Sequence, residues 1–240
     1  MSVSVVIPAH NEEQFIHTCM QAIAVAAEQI DAPVETIVVL NRCTDQTEQL
    51  ARGFGATCIA DASRCLATVR NTGVANATGE VIVTCDADSR LHPDTLSAAL
   101  AELSNGAIGG GLGVLFDRRS PGIAATEFLF RLIVRSTGLS CGAFWTTRKA
   151  FDAVGGFNET IPMGEDFDFA KRLKAFGRTT GQPYRTLWTA PLTSSARKFD
   201  KFGDWSFFKM MLVDAGRIRR SIKGHDTDFV DEYFYDFNDS

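Results

Sequence analysis

The chain has 240 residues, 45% hydrophobic and 22% charged, with a formal net charge of −5. This is an ordinary globular balance with enough apolar residues for a substantial core, and the acidic excess gives no electrostatic footprint for nucleic acid. Six cysteines (Cys19, Cys43, Cys58, Cys65, Cys85, Cys141) are scattered without a CxxC pair, which argues against zinc and predicts reduced thiols in a cytoplasmic protein.

Val3 to Ile7, ended by Pro8, predicts a first strand. Asn11 is the expected N-cap of a helix whose apolar stripe is Ile16, Met20, Ile23 and Ala27. Val34 to Leu40 predicts a second strand, and Thr44 or Asp45 the cap of a helix running to about Gly53. Ala56 to Ala60 reads as a third strand, Cys65 to Ala77 as a helix and Val81 to Cys85 as a fourth strand. Strands alternating with helices predict βαβ units and a mainly parallel sheet, with ligands at the carboxyl ends of the strands. Pro8, Asn41, Asp61 and Asp86 all follow strand ends and are expected to converge.

Beyond Pro93 the pattern predicts a helix from Asp94 to Leu103, a glycine-rich strand from Ala107 to Phe116 and a helix over 121–137. Ser140 to Thr147 reads as a strand, followed by a short helix and the turn Gly155-Gly156-Phe157. Glu165 to Phe176 is helical and ended by Gly177, and Tyr184 to Trp188 is a strand. Asp204 to Ile222 is amphipathic and basic toward its end. The N-terminus lacks the basic region of a signal peptide. The most apolar window, Ile123 to Val134, contains Glu127 and Arg131 and is too short to span a bilayer. A soluble protein is expected, with peripheral membrane contact left open.

The most informative feature is Asp86-Ala87-Asp88 at the end of the fourth strand. In extended chain, residues i and i+2 point the same way, roughly 6–7 Å apart. Two hard oxygen donors at that spacing suit a divalent cation, which can bind a diphosphate. A plain turn with Asp88 or Ser89 capping a helix explains them equally well at this stage. Pro8-Ala9-His10-Asn11-Glu12 joins a strand to a helix N-terminus, a natural anion or nucleotide site. The Asn41 amide both donates and accepts and suits a base edge, although a turn would also explain it. Glu165 and Asp166 open a helix, where a carboxylate is stabilised as the anion and can take a proton from a sugar hydroxyl; helix capping is the alternative. Gly109-Gly110-Gly111 is not a phosphate loop, because no Lys-Ser/Thr follows, and reads instead as close backbone approach or a bulge. The four histidines show no metal spacing.

Taken in order, VSVVIPAHNEE (3–13), VVLNRCTDQTEQLA (38–51), VRNTGVANATGEVIVTCDADS (69–89) and CGAFWTTRKAFDAVGGFNETIPMGEDFDFAKRLKAFG (141–177) resemble a family 2 glycosyltransferase. The resemblance covers roughly residues 3–200. It implies a GT-A, Rossmann-like nucleotide-diphospho-sugar transferase fold with helices flanking the sheet. It implies that Pro8, Ala9, His10 and Glu12 line the nucleoside pocket, with Asn41 near the base and Arg70 near the nucleotide or phosphates. Asp88 and Asp86 would hold Mg2+ or Mn2+ on the diphosphate. Asp166 resembles the general base of inverting enzymes, with Glu165 beside it. Trp145 and the Cys141-Gly142-Ala143 segment would flank the acceptor, and Arg197 or Lys198 would fold over the phosphates. The family often has an Asp-Asp pair where this chain has Leu40-Asn41, which leaves UDP or GDP open as the nucleotide. The QxxRW motif of processive synthases is absent, which favours single-sugar transfer.

Residues 1–225 are expected to form one domain: 1–90 the nucleotide-binding half, 91–200 the acceptor half and 201–225 an amphipathic helix. Residues 226–240 form an acidic aromatic tail. The helix, with Phe207, Phe208, Met210, Met211, Leu212, Ile218, Lys209, Arg217, Arg219 and Arg220, suits either packing on the core or an interface to a lipid-linked acceptor. Phe229, Tyr233, Phe234 and Tyr235 in the tail suit docking on the domain or on a second copy in a homo-oligomer. The expected activity is transfer of one sugar from a nucleotide-diphosphate donor to an unknown hydroxyl acceptor. A non-catalytic nucleotide-sugar-binding protein is the alternative. A nucleotidyltransferase fits less well, because PAHNEE is not a glycine-rich basic loop.

Overall fold

The computed structural model describes residues 1–161 and 163–213. The elements run β1 (Val3–Ala9), α1 (Ile16–Ala27), β2 (Val34–Asn41), α2 (Thr47–Gly53), β3 (Thr57–Asp61), α3 (Leu66–Ala75) and β4 (Val81–Thr84). They continue with β5 (Ser89–Arg90), α4 (Thr95–Ser104), β6 (Gly109–Phe116), α5 (Pro121–Thr137), β7 (Phe144–Thr147) and α6 (Arg148–Ala153). The last are α7 (Glu165–Thr180), β8 (Tyr184–Ser194), α8 (Arg197–Phe202) and α9 (Ser206–Val213). The expectations for Arg217 to Arg220 and for the tail lie outside the described residues. Among the described residues no helix is long and apolar enough to cross a membrane.

One sheet carries the fold, in the order β3-β2-β1-β4-β7-β6-β8-β5. The first four strands are parallel, as the βαβ pattern predicts. The rest is mixed: β7 is antiparallel to β4 and β6, β8 is parallel to β6, and β5 is antiparallel to β8. Every residue of β1 is buried, because the strand is covered on both faces. Its alternation divides the core. Val3, Val5, Ile7 and Ala9 join the layer with Met20 and Ile23 of α1, Ala51 of α2 and Leu96 of α4. Val6 joins the opposite layer with Val69 of α3, Phe151 of α6 and Phe169 of α7.

Four local expectations are corrected. Asn11 does not cap α1. It adopts φ 50°, a region Asn tolerates, and its Oδ1 accepts the Thr44 N–H at 2.8 Å. The loop is laced further: Glu13 N–H donates to Asp45 (2.9 Å), Gln46 N–H to Glu13 (3.0 Å) and Glu12 N–H to Thr47 Oγ1 (2.8 Å). Residues 140–143 are not strand; β7 starts at Phe144. Gly177 does not end α7, which closes on left-handed Gly181. Glycine is needed at 177 for packing, since a Cβ there would press on the Gln182 carbonyl and Ile108. Finally, β8 runs through Pro191 to Ser194 and leads into a helix, α8, that the sequence did not announce. Pro191 survives because it falls in the irregular stretch between the pairs Leu112–Leu187 and Val114–Leu192, where no ladder donor is required. The glycine run itself pairs in regular register and marks close backbone approach, since a Cβ at Gly110 would press on the Arg185 carbonyl and one at Gly109 on the Trp145 carbonyl.

Glu35 fastens β1, β2 and the approach to β4. Its Oε1 accepts from Ser4 Oγ (2.6 Å), Thr78 N–H (2.6 Å), Thr78 Oγ1 (2.9 Å) and Gly79 N–H (3.1 Å). Burial pushes this carboxyl up, but the Ser4, Thr78 and Gly79 hydrogen bonds outweigh it and hold it below the ordinary value. A depressed carboxyl contributes stability that is present above the unfolded pKa and lost as pH falls through the folded one. Glu35→Gln keeps an acceptor and loses the charge, so we expect a cost of about 1 kcal/mol at pH 7. In urea titrations that difference should close as pH falls below about 4.

Candidate donor and acceptor site

The carboxyl ends of β1, β2 and β4 open on one edge of the sheet. Pro8 and Ala9 are buried at the end of β1, and the Cys43 thiol donates to the Ala9 carbonyl at 3.2 Å. His10 Nδ1 lies 2.6 Å from the Asn41 carbonyl, which puts the ring proton on Nδ1. Asn41 does not present its amide to a base: it is 3% exposed, and its Nδ2 donates to the carbonyls of Ser63 (2.7 Å) and Asp61 (3.2 Å). The Asp61 carboxylate is also used inward, accepting from Ser63 N–H and Thr72 Oγ1, both at 2.8 Å.

Arg70 on α3 is 2% exposed. Its Nη1 donates to Glu165 at 2.7 Å and its Nη2 to Asp86 at 2.9 Å. The guanidinium lies 5.3 Å from the centroid of Phe157. Arg70, expected near the nucleotide or phosphates, thus turns its Nη1 and Nη2 to two protein carboxylates in this structure. Phe157 is placed by the turn before it, where Gly155 (φ 77°) and Gly156 (φ 64°) take left-handed conformations. It stacks on Phe169 of α7 at 4.5 Å. Asn71, next to Arg70, holds the Phe157 backbone at both N–H and C=O, each 2.9 Å. The Arg70-Asn71 dipeptide thus ties the first half of the chain to the second.

Glu165 is buried with Arg70, which removes it as a free base. Burial pushes its carboxyl up and Arg70 pulls it back, leaving it raised. Asp166, one residue on, is only half-buried. Its Oδ2 accepts the Gly142 N–H at 2.9 Å, and its Oδ1 the Phe167 N–H at 2.7 Å. Gly142 takes φ 91°, with open space where a Cβ would project. Trp145 does not flank this opening. It is 0% exposed, and its indole N–H donates to the Gly111 carbonyl at 3.3 Å inside the core.

Asp88 meets the other arginine. Arg197, the first residue of α8, places Nε 3.1 Å and Nη2 3.0 Å from Asp88 Oδ2. The same guanidinium grips Glu12 with both oxygens, at 2.9 and 2.7 Å, and lies 4.7 Å from the centroid of Phe15. Burial pushes the Asp88 carboxyl up and Arg197 offsets part of that rise. Burial pushes the neighbouring Lys198 ammonium down, opposed by Asp88 and Asp86.

Glu12, Asp86, Asp88, Glu165 and Asp166 therefore outnumber Arg70, Arg197 and Lys198 around one opening. An excess of carboxylate charge suits a divalent cation. Among the described residues no group of three or more His, Cys, Asp or Glu could hold a metal alone. Two aspartates, with the remaining positions left to phosphates and water, is how Mg2+ is ordinarily bound. The donor set fits.

The sequence held one unused signal. Arg70 lies at helical spacing on the stripe of Ala67 and Val74, and a charge on a buried stripe requires a partner.

The sequence model of glycosyl transferase family 2 matches residues 4–153. The chain belongs to this family. "Glycosyltransferase AglE" of Haloferax volcanii is 28% identical over 71% of this chain and 60% of its own length. The Klebsiella pneumoniae "Undecaprenyl-phosphate 4-deoxy-4-formamido-L-arabinose transferase" is 25% identical over 62% of this chain and 48% of its own. The family 2 chain thus spans about half to three-fifths of these relatives. In structure it is similar to Staphylococcus aureus TarS with UDP-GlcNAc (TM-score 0.63, 19% identity, 81% of this chain and 58% of that one). It is also similar to the Pyrobaculum calidifontis mannosyltransferase PcManGT with GDP-Man and Mn2+ (TM-score 0.60, 22% identity, 80% and 56%). The fold is the GT-A fold of such family 2 domains.

Removing one partner of a buried ion pair strands the other, at about 3–5 kcal/mol. We expect Arg70→Met to cost about that much in urea denaturation at pH 7. Replacing Glu165 with Leu as well should recover part of the loss, because the stranded charge goes with it.

Proposed function

We propose that this chain is a metal-dependent, inverting glycosyltransferase that moves one sugar from a UDP- or GDP-type donor to a hydroxyl acceptor. The observation that carries this reading is the Asp86–Arg70–Glu165 bridge. It ties the first turn of α7, where Asp166 sits, to the Asp86/Asp88 turn that follows β4, and that supports a base on α7 acting beside a diphosphate held at the turn. A nucleotide-sugar-binding protein without catalysis has no need of that second carboxylate.

Asp86 and Asp88 would hold Mg2+ or Mn2+, which when bound supplies positive charge against the leaving diphosphate. Arg197 and Lys198 supply further positive charge on the same side. The Pro8–Glu12 turn, with His10, lines the nucleoside pocket. Asp166 accepts the proton of the acceptor hydroxyl as that oxygen bonds to the sugar C1 and the C1–O bond to the diphosphate breaks. With Glu165 committed to Arg70, Asp166 is the member of the adjacent pair left to act. One base serves a single displacement with inversion, whereas a double displacement needs a nucleophile as well.

The Klebsiella relative's name supports a second acceptor class, a polyprenyl phosphate. A phosphate oxygen has no proton to surrender at neutral pH, so the base separates the two classes. With a hydroxyl acceptor we expect Asp166→Asn to lower kcat by about 10²–10⁴-fold with donor binding intact. Near-wild-type transfer in that variant would overturn the hydroxyl assignment. The donor is found first by thermal shift against UDP-, GDP- and dTDP-sugars with and without Mn2+. A ligand at 100 times its Kd adds about 2.7 kcal/mol of stability. The shift should depend on metal and vanish in Asp88→Ala; a metal-independent shift in both proteins would sink the metal role.

A further inference from the structure

Arg197 occupies Asp88, one of the two carboxylates proposed to take the cation. The two grips of its guanidinium differ. Glu12 offers both oxygens at 2.7 and 2.9 Å, whereas Asp88 offers Oδ2 alone at 3.0 and 3.1 Å. A two-oxygen fork on a carboxylate is the stronger and more directional arrangement. Glu12 is itself fixed: it is 6% exposed and its N–H is held by Thr47. Phe15 lies against the guanidinium from the same loop. On the other side, Ser195 N–H donates to the Asp88 carbonyl at 3.1 Å, and Ser89 pairs with Ser194 across β5 and β8. The backbone therefore keeps the start of α8 beside Asp88 whatever the side chains do.

We propose that Arg197 is an exchangeable counter-ion for Asp88, anchored on Glu12. It neutralises Asp88 before ligands arrive, yields that carboxylate to the divalent cation, and turns the same donors to the diphosphate while keeping its grip on Glu12. This rests on the metal-diphosphate reading of Asp86 and Asp88. Two consequences follow. A cation alone binds weakly, because it must compete with a guanidinium already in place. Cation and nucleoside diphosphate bind with positive coupling, because the diphosphate gives Arg197 a new partner as Asp88 is given up, and such coupling is reciprocal.

The test is Mn2+ binding to the full-length protein, read from the EPR signal of free Mn2+, alone and with saturating UDP or GDP. Arg197→Gln should bind Mn2+ alone about fivefold or more tightly than wild type, the lower end of ordinary coupling. It should bind the nucleoside diphosphate more weakly, and the gain in Mn2+ affinity on adding nucleotide should shrink. A residue that only clamps phosphate would leave Mn2+ alone unchanged, and a purely structural one would weaken both; either result overturns the exchange. Arg197→Lys keeps a charge near Glu12 but loses the fork, and should move Mn2+ affinity in the same direction by less. It serves where the Gln variant has lost its thermal transition. If wild type holds no Mn2+ even with UDP or GDP, the metal reading itself falls, and with it this proposal.

Discussion

Each aspartate of the Asp86-Ala87-Asp88 turn is held by an arginine that also grips a glutamate from a distant part of the chain. Arg70 joins Asp86 to Glu165, 95 residues from itself. Arg197 joins Asp88 to Glu12, 185 residues away. Charged groups leave water only when paired, and a buried pair is seldom a net gain in stability over apolar packing. What two such bridges supply is position. They set the spacing between the turn, the loop before α1 and the opening turn of α7.

The bridges differ in depth, and that decides what each can do. Arg70 is enclosed, with Phe157 against it and the Asn71 grip beside it, so its bonds are fixed parts of the fold. Arg197, at the start of α8, is less enclosed, with its side chain 18% exposed. The same residue type thus serves as a strut in one place and, in the exchange proposed above, as a movable cation in the other.

The parallel half of the fold was legible because β1 and β4 are apolar runs buried on both faces and α1 carries a clear apolar stripe. The carboxylates Glu12, Asp86, Asp88 and Asp166 stood out in the sequence because they sit at the ends of apolar strands and at helix starts. What the sequence hid was the partner of each. Asn41 looked like a base reader, yet its amide closes the loop after β3, and only the β2–β3 register brings Ser63 to it. Trp145 looked available until β7 turned out to sit between β4 and β6, where the ring faces the core. Arg197 was expected to fold over the phosphates, but its pairing with Glu12 requires β8 to continue past Pro191, a residue that normally argues against a strand.

The arrangement also explains why two adjacent acids at the start of α7 are not interchangeable. Successive residues of a helix point about 100° apart, so only one of them can face α3. Glu165 takes that direction and is spent on Arg70. Asp166 is thereby turned toward Gly142, whose left-handed conformation and missing side chain leave room beside the carboxylate. The glycine, the spent glutamate and the turned aspartate form one steric and electrostatic unit, and Arg70 at its base ties that unit to Asp86.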